Sequence, residues 1–391
     1  MKRLFICFSL FVFASICFAQ DAWKITASNV DTKNYYGVTV ANGMLGIVSS
    51  PEAFKVKDVV LAGAYDLYGR GRVSNFLKSF NLLNMYMEVD GRRLSNSDVN
   101  SLQQSLDMKT ANFTTSFNYK DIATVSYTYY ALRQLPYAVL MDITVTAKKD
   151  FNLGSASVME APDALKDVQN YYNEIDRPHT TISLLTSTAK SPTGKLLMCA
   201  SNAFIFSETH GSEPRVIHEM WDNNMHLMKF AKKIKAGETY RYSIVGTSIS
   251  SAHHDDPLNE AERLTIFAKL QGRERLIEMH NNAWAALWKS DIIIEGDAQS
   301  QQDVHSMLYH LYSFVREGAS NSPSPMGLSG LGYNGHVFWD TELWMFPAIL
   351  QLHPELAKSM VEYRFERLEA AKRNAFGKGY KGAMYPWESA E

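Results

Sequence analysis

In the N-terminal part of the chain, apolar and polar side chains alternate in short runs that predict β-strands. Residues 123–131 and 138–146 are rich in β-branched and aromatic side chains and are bounded by polar or proline-containing segments. Residues 227–231 and 239–248 predict another pair of strands, joined through a turn at Gly237. Many short strands with few helices are typical of an antiparallel β-sandwich.

The period of the apolar positions changes to that of helices after about residue 252. Apolar side chains then recur at spacings of mostly three and four. These spacings predict helices over residues 258–290, interrupted near Gly272, over 301–317 and over 354–376. A short strand is predicted between the first two, at residues 291–295. The sequence therefore predicts a β-rich part followed by an α-helical part.

The first nineteen residues have the layout of a secretory signal peptide. Lys2 and Arg3 precede an apolar run over residues 4–18, and small side chains at Cys17 and Ala19 suit cleavage after Ala19. A membrane anchor is the alternative, but the run is shorter than the ~20 residues that a spanning helix needs. We therefore expect an exported protein, periplasmic or extracellular, with no stable membrane span.

Cleavage at this position leaves Cys199 as the remaining cysteine of the mature chain. One thiol cannot form an internal disulfide, so we expect Cys199 to be a buried, small apolar residue. An exported protein without disulfides fits a bacterial periplasm or cell surface better than a disulfide-rich exterior.

The composition is that of a globular protein, with 46% hydrophobic and 20% charged residues and a net charge of −2. No long run of either sign occurs, which argues against nucleic acid or an anionic membrane surface as a partner. The aromatic content of 12% suits carbohydrate clefts, since a pyranose can lay its C–H face on a ring. An aromatic core is the alternative explanation.

A glycine-rich stretch over residues 327–342 carries the candidate chemistry. It lacks the preceding strand and the spacing of a dinucleotide- or phosphate-binding loop, and it leads into Trp339-Asp340-Thr-Glu342 at a helix start. A second aromatic and acidic cluster lies at residues 385–389. Tryptophan beside a carboxylate suits a sugar site, although Asp340 can instead cap the helix.

Residues 253–257, His-His-Asp-Asp-Pro, lie at the boundary between the two parts. Adjacent residues seldom all face one ion, so we interpret this segment as a linker with a helix start rather than a metal cluster. We expect neither a metal nor a cofactor.

The run Gly-Leu-x-Gly-x-Gly-Tyr-x-Gly-His-x-Phe-Trp-Asp-Thr-Glu at 327–342 resembles the signature loop of glycoside hydrolase family 65. Further matches are Tyr363-Arg364 and the stretch 382–389, and upstream the segment 284–309 is similar to the family's linker and first barrel helix. These motifs cover residues 284–391. The family includes disaccharide phosphorylases, acid trehalases and kojibiose hydrolases.

The resemblance implies an N-terminal antiparallel β-sandwich, a helical linker and an (α/α)6 barrel. We accordingly divide the chain into a signal peptide (1–19), a β-sandwich domain (20–255), a helical linker (256–297) and the first part of a truncated catalytic barrel (298–391). The chain shows only three or four barrel helices, so we expect it to be a fragment.

The resemblance also implies the site. Trp339 and Asp340 bind the glucosyl unit in subsite −1, and Trp387 and Glu388 belong to the same cleft. Further candidates for substrate contact are Tyr333, His336 and Glu342. The family's general acid is a glutamate in a later motif, so no catalytic residue is expected within the chain; acid and base are expected beyond Glu391.

Three functions stay open at this point. The first is inverting hydrolysis of an α-glucoside such as kojibiose or trehalose, for which this truncated chain alone is expected to be inactive. The second is an inverting phosphorylase that releases β-glucose 1-phosphate, and the third is a non-catalytic carbohydrate-binding remnant. Export favours hydrolysis, because a sugar phosphate is useful only inside a cell. The expected partner is a small carbohydrate, and a homodimer is a further possibility.

Overall fold

The computed structural model describes residues 21–69 and 73–390. The signal peptide predicted for residues 1–19 lies outside the described residues, so cleavage near Ala19 stays a prediction. Across the described ranges, no helix combines the length and the apolar character needed to cross a bilayer.

The largest sheet of the described residues is antiparallel and has nine strands. Its nine strands are, in spatial order, β1 (Lys24–Ala27), β8 (Val99–Asp107), β9 (Asn112–Tyr119), β10 (Ala123–Ala131), β11 (Ala138–Ala147), β18 (Thr239–Ser250), β15 (Leu197–Ile205), β14 (Thr180–Lys190) and β13 (Lys166–Arg177). Buried and partly exposed residues alternate along much of β10 and β11, which pair with each other and confirm the two strands predicted there. Cys199 in β15 is fully buried, as expected.

Two smaller sheets pack against the large one. The five-stranded sheet consists of β16 (Ile217–Met220), β17 (Met225–Ile234), β12 (Phe151–Glu160), β6 (Asn81–Val89) and β7 (Arg92–Arg93). The four-stranded sheet consists of β2 (Thr39–Ala41), β3 (Leu45–Ser49), β4 (Val56–Leu67) and β5 (Ser74–Lys78). One core cluster joins Tyr127 and Ile143 of the large sheet to Met87 and Phe230 of the five-stranded sheet and Leu61 of the four-stranded sheet. Face-to-face sheets around a shared core make a β-sandwich.

The strands β17 and β18 exist, but the prediction that they pair is wrong. β17 pairs with β12 and β16, whereas β18 pairs with β11 and β15. The turn at Gly237 is hydrogen-bonded to the end of β11, with Gly237 N donating to Ala147 O and Ala147 N donating to Glu238 O. The turn therefore carries the chain from the five-stranded to the nine-stranded sheet.

Helices follow the last sandwich strand. They are α1 (Pro257–Gln271), α2 (Arg273–Leu287), α3 (Ala298–Phe314), α4 (Phe346–Leu352), α5 (Pro354–Glu366) and α6 (Leu368–Gly377). Asp256 caps α1 by accepting a hydrogen bond from Asn259 N, which confirms a helix start at the 253–257 segment. Gly272, with a φ of 76°, separates α1 from α2 where an interruption is predicted. The fold is a mostly β sandwich followed by helices.

The strand predicted at residues 291–295 is wrong, because a side chain takes the place of a neighbouring strand. Gln301 in α3 accepts a hydrogen bond from Ile294 N at 2.6 Å and donates to Ile292 O at 2.9 Å. Ile293 is 70% exposed. The isoleucine run is therefore a segment without regular secondary structure that is hydrogen-bonded to α3.

The single helix predicted over 354–376 is two helices, α5 and α6, which meet at Arg367. The backbone of Arg367 has φ −96° and ψ 6°, outside the helical range. Its guanidinium donates to Tyr363 O at 3.0 Å and lies 3.7 Å over the Tyr363 ring. This local contact favours a break in the helix at Arg367, which the spacing of the apolar residues does not reveal.

Candidate functional site

The four-stranded sheet of the sandwich supports the glycine-rich loop. Tyr65 in β4 donates from its hydroxyl to Gly335 O at 2.6 Å, and His336 Nε2 donates to Ser74 O at the start of β5. Gly335 has a φ of 69°, and a Cβ there would overlap the Phe76 ring, so only glycine fits this contact. The sandwich thus fixes the position where the candidate motif begins.

A short strand pair joins the two Trp-acid motifs. β19 (Val337–Phe338) pairs antiparallel with β20 (Glu388–Ser389), and Phe338 lies opposite Glu388. Trp339 directly follows β19, and Trp387 directly precedes β20. Two motifs that are distant along the chain are therefore adjacent in the structure.

The tryptophans form a partly exposed aromatic cluster. The Trp339 and Trp387 rings lie edge to face, with centroids 5.2 Å apart and planes at 75°. Trp339 is 42% exposed and Trp387 is 55% exposed. Phe338 contacts Trp387 at 5.9 Å and Tyr333 at 5.7 Å, so Tyr333 belongs to the same cluster. Exposed indole surface at a loop is suited to stacking against a sugar.

Asp340 does not cap the helix that follows it. It stands at the N-cap position of a π-helical turn, Thr341–Met345, but its side chain makes no capping hydrogen bond. The turn is held instead by Thr341, whose hydroxyl donates to Pro323 O at 2.8 Å. Within residues 21–69 and 73–390 the Asp340 carboxylate accepts no hydrogen bond, which leaves it available to a ligand.

The two glutamates of the motifs differ in their surroundings. Glu342 accepts two hydrogen bonds from Arg364, so its carboxylate is already paired. The Glu388 side chain is about half exposed, and its Oε2 lies 3.8 Å from His336 Nδ1. His336 is 4% exposed and lies beneath the loop surface rather than on it.

Sequence reasoning missed the residues that hold the cluster together. Tyr363 and Ser389 share a hydrogen bond of 2.8 Å between their hydroxyls, and Tyr385 donates to Arg364 O at 2.9 Å. The family matches include residues 363–364 and 385–389, but residue type alone assigns no role to Tyr363, Tyr385 or Ser389. Their partners become visible only when the two loops are in contact.

A cleft of about 490 Å³ lies on the sandwich side of the loop, and the two tryptophans do not line it. It is lined by residues that include Asp58 and Glu160, and it reaches the glycine-rich loop at Leu331. The aromatic cluster is therefore distinct from this cleft.

Among the described residues, no group of three or more His, Cys, Asp or Glu side chains is arranged to hold a metal ion. In the 253–257 segment, His253 Nε2 donates to Ala62 O at 2.7 Å, and Nδ1 lies 2.9 Å from the Ser250 hydroxyl. Both ring nitrogens of His253 have protein partners.

The fold combines a β-sandwich with an α-helical part, and the two Trp-acid motifs lie on one surface of it. The chain belongs to glycosyl hydrolase family 65, which confirms the resemblance. The model of the family's N-terminal domain matches residues 36–287, and that of its central catalytic domain matches residues 305–391.

Individual relatives agree with this membership. The chain is 69% identical over 373 residues to a kojibiose hydrolase of Mucilaginibacter mallensis and 54% identical over 387 residues to a kojibiose hydrolase of Flavobacterium johnsoniae. These matches cover 95% and 98% of this chain, but only 55% and 57% of the two relatives. The chain thus spans little more than half the length of these relatives.

A solved structure of a candidate kojibiose phosphorylase from the human microbiome has the same fold. It superimposes with a TM-score of 0.79 over 95% of this chain and 52% of that one, at 16% sequence identity. At this identity the likeness extends to the fold alone.

Proposed function

We propose that this protein takes part in the hydrolysis of an α-glucosidic bond, in kojibiose or a related glucoside, with inversion at the anomeric carbon. The identity to two kojibiose hydrolases supports the reaction and the substrate class. The observation that carries the site is the pairing of β19 with β20, which brings Trp339, Asp340, Trp387 and Glu388 to one surface.

In this proposal the four residues form the glucosyl-binding part of the cleft. An exposed indole face stacks on the apolar C–H face of the sugar, which stabilises binding without a charge. Asp340, which has no partner among the described residues, accepts hydrogen bonds from vicinal hydroxyls, and Glu388 does the same on the opposite strand. Tyr333 lies at the edge of the aromatic cluster. His336 is buried beneath the loop and supports it through its hydrogen bond to Ser74 O.

We propose further that α3 to α6 begin an (α/α)6 barrel. Several large apolar side chains of this region are strongly exposed, among them Trp344 (73%), Phe365 (70%) and Phe376 (85%). Exposed apolar surface of this kind is suited to packing against further helices. Completing the barrel in this way also gives the cluster the second wall that an enclosed cleft needs.

Inversion requires two groups on opposite sides of the sugar. One carboxylic acid protonates the leaving oxygen, while a carboxylate about 6.5–9.5 Å away activates a water. Asp340, Glu342 and Glu388 are the carboxylates of the two motifs, and in this proposal none of them is the acid or the base. Those two groups are expected beyond Glu391, as the resemblance implies.

We also propose that the protein is exported. The Lys2-Arg3 start, the apolar run and the Ala19 site support this, and export supports hydrolysis over phosphorolysis. A phosphorylase uses phosphate as the nucleophile and keeps the bond energy as a sugar phosphate, which an exported enzyme would release outside the cell.

The test is an assay of the protein expressed from its full reading frame. Kojibiose, trehalose and maltose are supplied with and without phosphate, and glucose and glucose 1-phosphate are followed. Phosphate-independent release of β-glucose is the expected result. Phosphate-dependent formation of glucose 1-phosphate would establish the phosphorylase instead, and glucose binding without turnover would establish the binding remnant.

A further inference from the structure

Arg364 lies at the centre of the contacts between the two Trp-acid motifs. It belongs to the last turn of α5, and its side chain is 11% exposed. Its Nε donates to Glu342 Oε1 at 2.7 Å and its Nη2 to Glu342 Oε2 at 2.9 Å. Two parallel bonds between a planar guanidinium and a carboxylate fix orientation as well as distance.

The other donors of Arg364 reach both short strands. Nη2 also donates to Phe338 O at 3.4 Å, and Nη1 donates to the Ser389 hydroxyl at 3.3 Å. Phe338 is the residue before Trp339, and Ser389 is the residue after Glu388. One guanidinium therefore touches each strand within one residue of a proposed sugar-binding side chain.

The helix side of this bridge is fixed as well. Tyr385 donates from its hydroxyl to Arg364 O, and the Arg364 guanidinium lies 5.7 Å from the centroid of the Tyr385 ring. The hydroxyl of the neighbouring Tyr363 is hydrogen-bonded to the hydroxyl of Ser389. The backbone and the side chain of Arg364 are thus both tied to the loop that carries Trp387.

The strand pair itself is too short to be rigid alone. β19 and β20 have two residues each, and an isolated two-stranded ribbon is at best marginally stable in water. Trp339 and Trp387 are both about half exposed, so their own packing does not enclose them. The Arg364 guanidinium contacts Glu342 and both strands, and so restricts the movement of one strand relative to the other.

We propose that Arg364, paired with Glu342, is the positioning residue of the glucosyl subsite. It does not bind sugar; it sets the distance between the Trp339-Asp340 arm and the Trp387-Glu388 arm. This proposal rests on the proposed function, because it concerns the same site. It also changes the role of Glu342 from a candidate sugar ligand to the partner of Arg364.

Three variants test the pair in the protein expressed from its full reading frame. Arg364→Ala removes the bridge, Arg364→Lys keeps the charge but lacks the planar fork, and Glu342→Gln removes the charge of the partner. We expect Arg364→Ala to lower kcat/KM on kojibiose ten- to a hundredfold, because displacement of a bound group by about 1 Å can cost that much. Arg364→Lys should recover only part of the loss.

The double variant Arg364→Ala, Glu342→Gln separates a coupled pair from two independent effects. If the two residues act as one unit, the double variant loses no more activity than Arg364→Ala alone. The matched control is Arg263→Ala, which removes a bidentate pair with Glu260 on α1, at 2.7 and 2.6 Å, and should leave kcat/KM unchanged.

A spectroscopic measurement can report the relative position of Trp339 and Trp387 independently of catalysis. The near-ultraviolet circular dichroism difference between the parent and Trp387→Phe defines the signal of the Trp339–Trp387 pair. At a temperature well below the unfolding midpoint of each variant, Arg364→Ala should lose this signal and Arg263→Ala should keep it. Retention of the signal and of full activity in Arg364→Ala would overturn the proposal.

Failure of the proposed function gives a different pattern. If Asp340→Ala leaves activity unchanged, the site itself is misassigned, whatever Arg364 does. If Asp340→Ala abolishes activity and all Arg364 and Glu342 variants remain fully active, the site is correct and only the positioning role is overturned.

Discussion

The Nδ1 atom of His336 lies 3.8 Å from the Oε2 atom of Glu388. The other ring nitrogen faces the carbonyl oxygen of Ser74, which only accepts hydrogen bonds, so Nε2 carries a hydrogen. Nδ1 is buried and has no hydrogen-bond partner among the described residues. His336 therefore lies between a sandwich strand, to which it is hydrogen-bonded, and a carboxylate of the proposed subsite.

Replacement of His336 by alanine should weaken glucoside binding more than it weakens folding. Loss of the ring removes the support of the loop beneath Glu388, and we expect KM for kojibiose to rise about tenfold. Steady-state kinetics of the full-length enzyme measures this effect. His254→Ala, at an exposed position, is the control; an unchanged KM in His336→Ala would contradict the role.

Gly335→Ala should destabilise the protein and displace the loop. Its positive φ costs an alanine roughly 1–2 kcal/mol, and the new Cβ overlaps the Phe76 ring. Gly379→Ala is a matched control, because Gly379 has a φ of 79° but open space around it. Urea unfolding should show a larger loss for Gly335→Ala than for Gly379→Ala. Equal losses would mean that backbone conformation alone requires the glycine.

Two buried histidines should make the protein less stable in acid. Burial lowers the pKa of His226 to about 3, with His218 as a second cause, and lowers the pKa of His280 to about 4, from an ordinary 6.5. Below pH 6.5 the unfolded chain therefore binds more protons than the folded protein. The stabilisation is complete above pH 6.5 and is lost as the pH falls towards 4, by roughly 1.4 kcal/mol per pH unit for each histidine.

Urea unfolding at pH 7, 6 and 5 tests this dependence. His226→Gln should flatten the dependence, because a glutamine does not titrate, whereas His254→Gln should leave it as it is. The comparison of slopes is independent of the stability that His226→Gln loses with its bond to Ser187. Identical slopes in the parent and in His226→Gln would refute the assignment.

Arg133→Met should loosen the contact between the sandwich and α3. Arg133 is 7% exposed, and burial lowers its pKa to about 9. Its guanidinium donates to Tyr312 O at 2.8 Å and to Val315 O at 2.9 Å, at the end of α3. A methionine of similar length leaves both carbonyls without this donor, and we expect a loss of about 3 kcal/mol in the free energy of unfolding. Arg263→Met, which breaks an exposed pair, should cost less than about 1 kcal/mol.

Local sequence patterns predict much of this fold, because much of it is determined locally. Alternation locates β10 and β11, and Gly272 marks the break between α1 and α2. The predictions are wrong where a contact with a residue outside the segment determines its conformation. The side chain of Gln301 forms the hydrogen bonds with the backbone of Ile292 and Ile294 that a neighbouring strand would form. The periodicity of apolar residues does not reveal such a contact.

For the candidate site, the sequence predicts which residues take part but not how they are arranged. The motifs, helped by the family resemblance, single out Trp339, Asp340, Trp387 and Glu388 by residue type. Their proximity depends on the register between β19 and β20, which the tertiary structure sets. The pairing of Glu342 with Arg364 likewise depends on where α5 ends, and the sequence predicts a longer helix there.

The place of β18 in the large sheet has a consequence for how the chain folds during synthesis. β18 lies between β11 and β15, yet it is the last sandwich strand to leave the ribosome. Until β18 is in place, β11 and β15 each lack one neighbour, and the other eight strands cannot form one continuous sheet. Such unpaired edges are prone to pair with other chains. The nascent sandwich should therefore depend on chaperones up to that point and become self-sufficient only when this central strand is inserted.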